Sequence, residues 1–295
     1  MVLTPELQTL VDALQHEKIV VLLAPSFPVD FVYPDVILDL KKIGAEKVVE
    51  LTYAAKLINM EYEKILKENP DKRYICPNCP TVVKMVEVKY PELKEDIIDV
   101  ASPMVIMDRF VKQSYWIGYK TLFVGPCLMK KMEARQYGIN YAITFKELQD
   151  IFDYMKEHSI PEKEFTYSVT EDGTPDFDKF YNDYTKVYPL AWGVADSLHL
   201  KWIMDKSHIL VVDGPKNLDA WFQSFKNDQS IKFLDILACE WWCIGGPGVI
   251  STASNQERKQ KILDYKDYCK KDKIWSKLGK FEYWEGLDIT RTTNN

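Results

Sequence analysis

The stretch from Phe233 to Gly248, FLDILACEWWCIGGPG, constrains the fold more than any other. An apolar run of strand length stops at Cys239, and Cys243 follows four residues later. Two further runs end in the same way: TLFVGPCLMKK carries Cys127 just past its apolar segment, and RYICPNCPTVV carries Cys79. Ligand sites in α/β proteins gather beyond the carboxyl ends of strands, so three such loops can share one face although they lie far apart in the chain.

The remainder alternates strand and helix signals, which predicts an α/β fold with parallel sheets flanked by helices. Thr4-Pro5 caps an amphipathic helix over Leu3 to Gln15. Lys18 to Ala24 has no period-two alternation and reads as a strand buried on both faces. A helix over Val36 to Ile43 stops at Gly44, a strand covers Lys47 to Leu51, and a long helix runs from Tyr53 to Glu68, ended by Asn69-Pro70. A short strand, Arg73 to Cys76, precedes a helix over Thr81 to Tyr90. Ser102-Pro103 opens another, through about Gln113. Thr121 to Gly125 and Tyr141 to Thr144 read as strands, the latter followed by a helix over Phe145 to His158. Ser159 to Thr185 is polar and reads as a surface connection with a turn at Glu171 to Pro175. A helix over Gly193 to Met204, a buried strand over His208 to Gly214, a helix over Asn217 to Phe225 and a charged helix over Glu257 to Lys271 complete the pattern.

The chain has 295 residues, 46% hydrophobic and 28% charged, enough for a large core. A formal net charge of −6 argues against nucleic acid as a partner, because that affinity rests on lysine and arginine neutralising phosphates. No apolar run reaches the roughly 20 residues that span a bilayer, and the N-terminus carries no signal series, so the expectation is a cytoplasmic protein without membrane contact. In a reducing compartment, cysteines at strand ends are read as metal ligands or redox groups before disulfides. Two plainer readings stand beside this one. Free cysteine often serves as a small buried hydrophobe, and Cys76 and Cys79 with Cys239 and Cys243 could form a four-thiolate zinc site in an interaction domain. Cys269, on the charged helix, reads as incidental.

The three loops resemble those of the FeFe (iron-only) hydrogenase catalytic domain. That family carries a Cys-Pro loop, a Pro-Cys-x-x-Lys-(Lys)-x-Glu loop and an Ala-Cys-x-x-x-Cys-x-x-Gly-Gly loop, in this order. Here they are Cys79-Pro80, PCLMKKMEA from Pro126 to Ala134, and ACEWWCIGG from Ala238 to Gly246. LAPSF at Leu23 to Phe27, SPM at Ser102 to Met104 and VYPLAWG at Val187 to Gly193 add to the likeness, which is greatest to the divergent branch associated with sensing. The resemblance implies one domain over 1–295, with lobes at about 18–126 and 127–250, a C-terminal helix and tail at 251–295, and a cluster in the cleft between lobes. It implies a 4Fe-4S cluster on Cys79, Cys127, Cys239 and Cys243, the last shared with a two-iron subsite bearing carbon monoxide and cyanide, the pair forming an H-cluster. Lys130 would pair with a cyanide, and Ala24, Pro25, Ser26, Ser102 and Met104 would line the subsite. Lys130 also suits the first turn of a helix, and Ser26 and Ser102 suit helix caps. The glycines at 245 and 246 would let backbone approach the cluster.

Three departures bear on function. The family passes protons through a cysteine just before the first ligand, and here that position is Asn78, which does not exchange a proton near neutral pH. Further relay positions fall on Tyr62 and Ile98, leaving Cys76, Glu61, Glu63 or Glu240 as substitutes, Cys76 first. It reads equally as an alternate ligand or a buried thiol. Second, Glu240-Trp241-Trp242 stand where small residues are usual, and Trp192 replaces a glycine, so these indoles either fill the subsite cavity or turn outward over the cluster. Third, no ferredoxin-like cysteine run is present, so a separate electron carrier or ferredoxin-like subunit is expected as partner, with dihydrogen as the candidate substrate. The expected function is slow reversible hydrogen oxidation and proton reduction, or hydrogen sensing. The alternatives are a non-catalytic 4Fe-4S protein in electron transfer, redox sensing or cluster assembly, and the zinc-stabilised domain. The tail from Glu282 to Arg291 resembles a segment that leads to another module in longer relatives, and it also suits packing on its own domain.

Overall fold

The computed structural model describes residues 2–115, 118–170, 172–178, 184–271 and 285–291. Nine strands are described: β1 Lys18–Leu23, β2 Ala45–Glu50, β3 Tyr74–Ile75, β4 Tyr119–Gly125, β5 Tyr141–Thr144, β6 Ser168–Val169, β7 Pro175–Asp176, β8 Ile209–Asp213 and β9 Phe233–Leu237. The helices are α1 Pro5–His16, α2 Asp35–Lys42, α3 Thr52–Glu68, α4 Pro80–Lys89, α5 Pro103–Tyr115, α6 Met129–Gln136, α7 Phe145–Glu157, α8 Gly193–Ser197, α9 Leu218–Asn227 and α10 Asn255–Lys271.

Two parallel sheets organise the molecule. The first has the order β2-β1-β4-β5 and the second β3-β9-β8. β1 lies between β2 and β4, with Ile19 to Leu23 inaccessible to solvent, which accounts for its unbroken apolar run. The sheets interleave in sequence: β3 joins strands from the far half of the chain, and β4 and β5 return to the first sheet after it.

Local chemistry fixes several element ends. The Thr4 hydroxyl accepts from the Leu7 amide at 3.3 Å, with Pro5 in the first turn of α1. Thr144 and Glu147 form a reciprocal capping box that turns β5 directly into α7. Past α2, Gly44 has φ 114°, and a β-carbon built there would lie 2.2 Å from the Leu14 carbonyl oxygen, so only glycine fits.

Three expectations need correction. The helix expected to reach Met204 stops at Ser197. The Ser197 hydroxyl donates back to the Gly193 and Val194 carbonyls at 2.6 and 3.2 Å, and His199 turns left-handed at φ 53°. The polar segment after α7 is not wholly a surface connection. Asp178 is buried, its amide donates to the Val48 carbonyl, and its carboxylate accepts from the Val48 amide and pairs with Lys41 at 2.7 Å, closing the β2 edge. Finally, β8 is only half-buried, because it forms the edge of its sheet.

The described part of the tail packs on its own domain. The Ala101 amide donates to the Ile289 carbonyl at 2.8 Å, Tyr137 to that of Arg291 at 2.6 Å, and Arg109 to those of Asp288 and Thr290. Residues 282–284 lie outside the described set.

Candidate metal centre

All four cysteines singled out by the loops stand just beyond strand ends. Cys79 is the residue before α4, reached from β3 through Pro77 and Asn78. Cys127 follows Gly125 and Pro126 at the end of β4, and Cys239 follows Ala238 after β9. Cys243 lies in a single 3₁₀ turn, Trp242–Gly245, and its amide donates to the Pro189 carbonyl at 3.2 Å.

The loops bearing Cys127 and Cys243 are tied backbone to backbone. The Gly248 amide donates to the Pro126 carbonyl at 2.9 Å, while within the third loop the Trp242 amide donates to the Cys239 carbonyl at 3.0 Å. Gly246 serves the contact between loops, since a built β-carbon would lie 2.6 Å from the Pro126 carbonyl oxygen, and Gly245 lets the third loop close on itself, its built β-carbon lying 2.2 Å from the Glu240 carbonyl oxygen.

The thiols sense one another. Burial, then Cys127, Cys79 and Cys239, push the Cys243 thiol far above its usual range, while the Lys130 ammonium pulls the other way. Burial and the thiols of Cys79 and Cys127 raise Cys239 to about 12. Cys127 is raised chiefly by burial and by Cys79. A set of mutually destabilised thiolates is a donor set that a cationic centre would relieve. Among the described residues, no three or more histidine, cysteine, aspartate or glutamate side chains close around a single metal ion.

Beside Cys243 lies a cavity of about 90 Å³. Of the residues expected around a subsite, Ala24, Pro25, Ser26, Met104 and Lys130 line it, with Cys127 and Cys243 in the same wall. Ser26 is 1% exposed and makes no capping bond, so its hydroxyl is not spent on a helix end. Ser102 is not in this lining. Its hydroxyl donates to Glu133 at 3.0 Å, and it faces a neighbouring cleft with Pro80 and Met132. Lys130 is held by the same Glu133 carboxylate at 2.5 Å, each side chain 11% exposed.

Asn78 lines the cavity too, and its buried Nδ2 makes no hydrogen bond among the described residues. Cys76 does not line it. That thiol is 1% exposed, 3.8 Å from the Tyr62 hydroxyl, and burial pushes it well above its usual range. Glu61 and Glu63 are spent on ion pairs with Lys64 and Lys67 along α3, and Glu240 is exposed. Cys269 is buried on the inner face of α10 and raised to about 11, mainly by burial.

None of the three tryptophans lines the cavity. Trp241 is 45% exposed, Trp242 packs against the cluster of Val29, Ile244 and Ile262, and Trp192 borders a separate cleft with Lys206 above its ring. All three have φ 61°, the left-handed conformation natural to glycine. The backbone therefore keeps a glycine-like path while the indoles turn away. Sequence reasoning passed over Glu133, although it completes the second loop's motif, and over Tyr188 and Phe123, which line the cavity. It also passed over Asp235, whose signal is a charge inside the apolar run FLDIL.

Known proteins agree with this architecture. One solved [FeFe]-hydrogenase structure, described for oxygen inactivation through its H cluster 2Fe subcluster, matches with a TM-score of 0.68 at 15% identity, over 98% of this chain and 96% of that one. An [FeFe]-hydrogenase described for stepwise H-cluster assembly matches with 0.65 at 15% identity, over 97% and 98%. A variant of an [FeFe]-hydrogenase from Chlamydomonas reinhardtii matches with 0.64 at 16% identity, over 88% of each chain. These likenesses show the fold, the two-lobed α/β hydrogenase catalytic-domain fold. Iron hydrogenase 1 of Clostridium pasteurianum is 23% identical over 259 residues, 71% of this chain but 44% of that protein, so the chain spans less than half the length of this curated relative. Among the described residues no helix is long and apolar enough to cross a membrane. A profile of the iron-only hydrogenase large subunit, C-terminal domain, matches residues 17–247, and the chain belongs to that family.

Proposed function

We propose that Cys79, Cys127, Cys239 and Cys243 hold a 4Fe-4S cluster and that the cavity beside Cys243 takes a two-iron subsite, for slow hydrogen oxidation and proton reduction or hydrogen sensing. One observation carries this reading: two of the four cysteines stand in the wall of a cavity that also presents Lys130, Ser26 and an Asn78 amide nitrogen with no hydrogen bond among the described residues. When bound, such a group supplies the hydrogen-splitting and electron-storing chemistry.

The protein's share is positioning and electrostatics. Loading requires the four thiols to release their protons, and the Lys130 ammonium favours this at Cys127 and Cys243. Its rotatable donors suit an anionic ligand. Ala24, Pro25, Met104 and Phe123 offer an apolar wall that keeps water away, and Ser26 and Asn78 offer donors. Electrons would pass to a separate carrier or ferredoxin-like subunit in a reducing, cytoplasmic compartment.

Asn78, in the place of a proton-passing cysteine, favours a second reading: a cubane-only protein in electron transfer, sensing or cluster assembly. The test is anaerobic reconstitution with iron and sulfide, then a two-iron precursor, followed by infrared spectroscopy. Carbon monoxide and cyanide bands that survive removal of free precursor support the first reading. A cubane signal without them supports the second. Zinc in place of iron and acid-labile sulfide in natively produced protein would overturn both.

A further inference from the structure

Behind the cavity wall lies a file of buried polar side chains that positioning a cluster does not require. Asp235 is 4% exposed in the middle of β9. Alternate residues of a strand share a face, so Asp235 shares its face with Leu237, which lines the cavity. β3 pairs with β9 in parallel, and the Cys76 amide donates to the Leu234 carbonyl at 2.9 Å, which sets Cys76 beside Asp235 on that face. The Cys76 sulfur lies 3.8 Å from the Tyr62 hydroxyl, which donates to Asn78 Oδ1 at 3.4 Å, and Asn78 lines the cavity.

The other end of the file approaches the surface. The Ala195 amide is directed at the Asp235 carboxyl, and Ala195 and the exposed Asp196 line a cleft of about 510 Å³ together with the exposed His199. Four titratable groups face Asp235: Tyr62 from α3, Cys76 beyond β3, Tyr188 from the loop before α8, and Asp196 on α8. Among the described residues Asp235 has no salt-bridge partner, and burial raises it to about 7. A carboxyl so placed both takes and gives a proton near neutral pH.

We infer that Tyr62, Cys76 and Asp235 form a proton route between the cavity at Cys243 and the cleft at Asp196 and His199. The inference rests on the proposed hydrogen chemistry for the origin of the proton. A proton set free in the cavity passes beside Asn78, whose amide holds the Tyr62 hydroxyl without itself exchanging, and adds to the Tyr62 oxygen, whose own proton passes to the Cys76 sulfur. The displaced thiol proton passes to the Asp235 carboxylate, which becomes a carboxylic acid and then releases it to water in the cleft. Each donor regains the proton it gave, and no residue is oxidised or reduced.

The test separates the route from the chemistry it would serve. In full-length, cluster-free protein, infrared difference spectra should show a protonated-carboxyl band that disappears between pH 5 and 9. The band should shift within seconds of mixing with D₂O, change its midpoint in Cys76→Ala, and be absent in Asp235→Asn. In protein loaded with both iron groups, Asp235→Asn and Cys76→Ala should each slow hydrogen–deuterium exchange from the gas at least tenfold, with carbon monoxide and cyanide bands unchanged. A missing band, or one that shifts only over hours, overturns the route. So does full turnover in both variants. If loaded parent protein shows no hydrogen chemistry, the proposed function fails, and the carboxyl band alone then decides whether Asp235 communicates with solvent.

Discussion

The Lys130 ammonium lies 2.5 Å from a carboxylate oxygen of Glu133, and the same oxygen accepts the Ser102 hydroxyl at 3.0 Å. Glu133 thus collects the donors of two motifs, and Lys130 reaches the cavity already oriented. A hydrogen bond to a charged group contributes about 1.5–3 kcal/mol. Lys130→Met should therefore leave the cubane signal intact and lower retention of a two-iron subsite roughly tenfold or more, read from infrared bands after gel filtration. Glu133→Gln, which keeps the shape and removes the charge, should have a smaller effect. Equal retention in parent and Lys130→Met would remove Lys130 from the site.

The paired left-handed tryptophans should respond differently to glycine. Such a conformation costs a side chain about 1–3 kcal/mol that glycine does not incur. Trp241 is 45% exposed and makes an edge contact with Trp242, so Trp241→Gly should lie within about 1 kcal/mol of the parent in urea unfolding. Trp242 packs against Val29 and Ile262, so Trp242→Gly should lose about 2–3 kcal/mol net of the relieved strain. A large loss at Trp241 alone would show that its ring is anchored by more than this contact.

Periodicity revealed what depends on neighbours along the chain and missed what depends on distant ones. β1, β4 and β9 were legible because strands covered on both faces read as apolar runs, that of β9 interrupted only by Asp235. Asp178 was not, since an aspartate in a polar stretch gives no hint that Lys41 and the Val48 amide await it. Helix α8 ended early through the back-bonding of Ser197, a choice between backbone and side-chain partners that residue type leaves open. At the site, motifs located Lys130 and Ser26, but the same logic set Ser102 beside them, where Glu133 draws its hydroxyl away. The turn of the tryptophans followed from backbone dihedrals, which no spacing of aromatic residues encodes.

A buried ion pair ties the end of β2 to the turn at Lys186, and Tyr265 of α10 joins it. Lys186 Nζ lies 2.6 Å from Glu50 Oε2, both side chains inaccessible, and the Lys186 ammonium also donates to the Tyr265 hydroxyl at 3.0 Å. Removing one partner of such a pair strands a charge and costs about 3–5 kcal/mol. Lys186→Met should destabilise by that amount in urea unfolding, and Lys186→Met with Glu50→Gln should recover a large part of it. A double variant as unstable as the single one would place the loss in packing around Tyr265 instead of in the stranded carboxylate.

Asp235 should make stability fall with rising pH. Its folded value of about 7 lies above the ordinary aspartate range, burial being the main cause. Between about pH 4 and 7 the folded chain therefore holds a proton that the unfolded chain has lost, and stability declines over that window. Above pH 7 the deficit is constant at about 4 kcal/mol, the displacement from the ordinary value near 3.9 converted at about 1.4 kcal/mol per decade. Asp235→Asn, neutral at every pH, should gain on the parent as pH rises, by about 3 kcal/mol between pH 5 and 8 because about a third of the deficit is already present at pH 5, with all other ionisations cancelling in the difference. Urea unfolding of both proteins at the two pH values measures this. An unchanged gap would mean that the carboxyl is already ionised in the folded protein at pH 5, with compensation from a cation that the packing around β9 does not reveal.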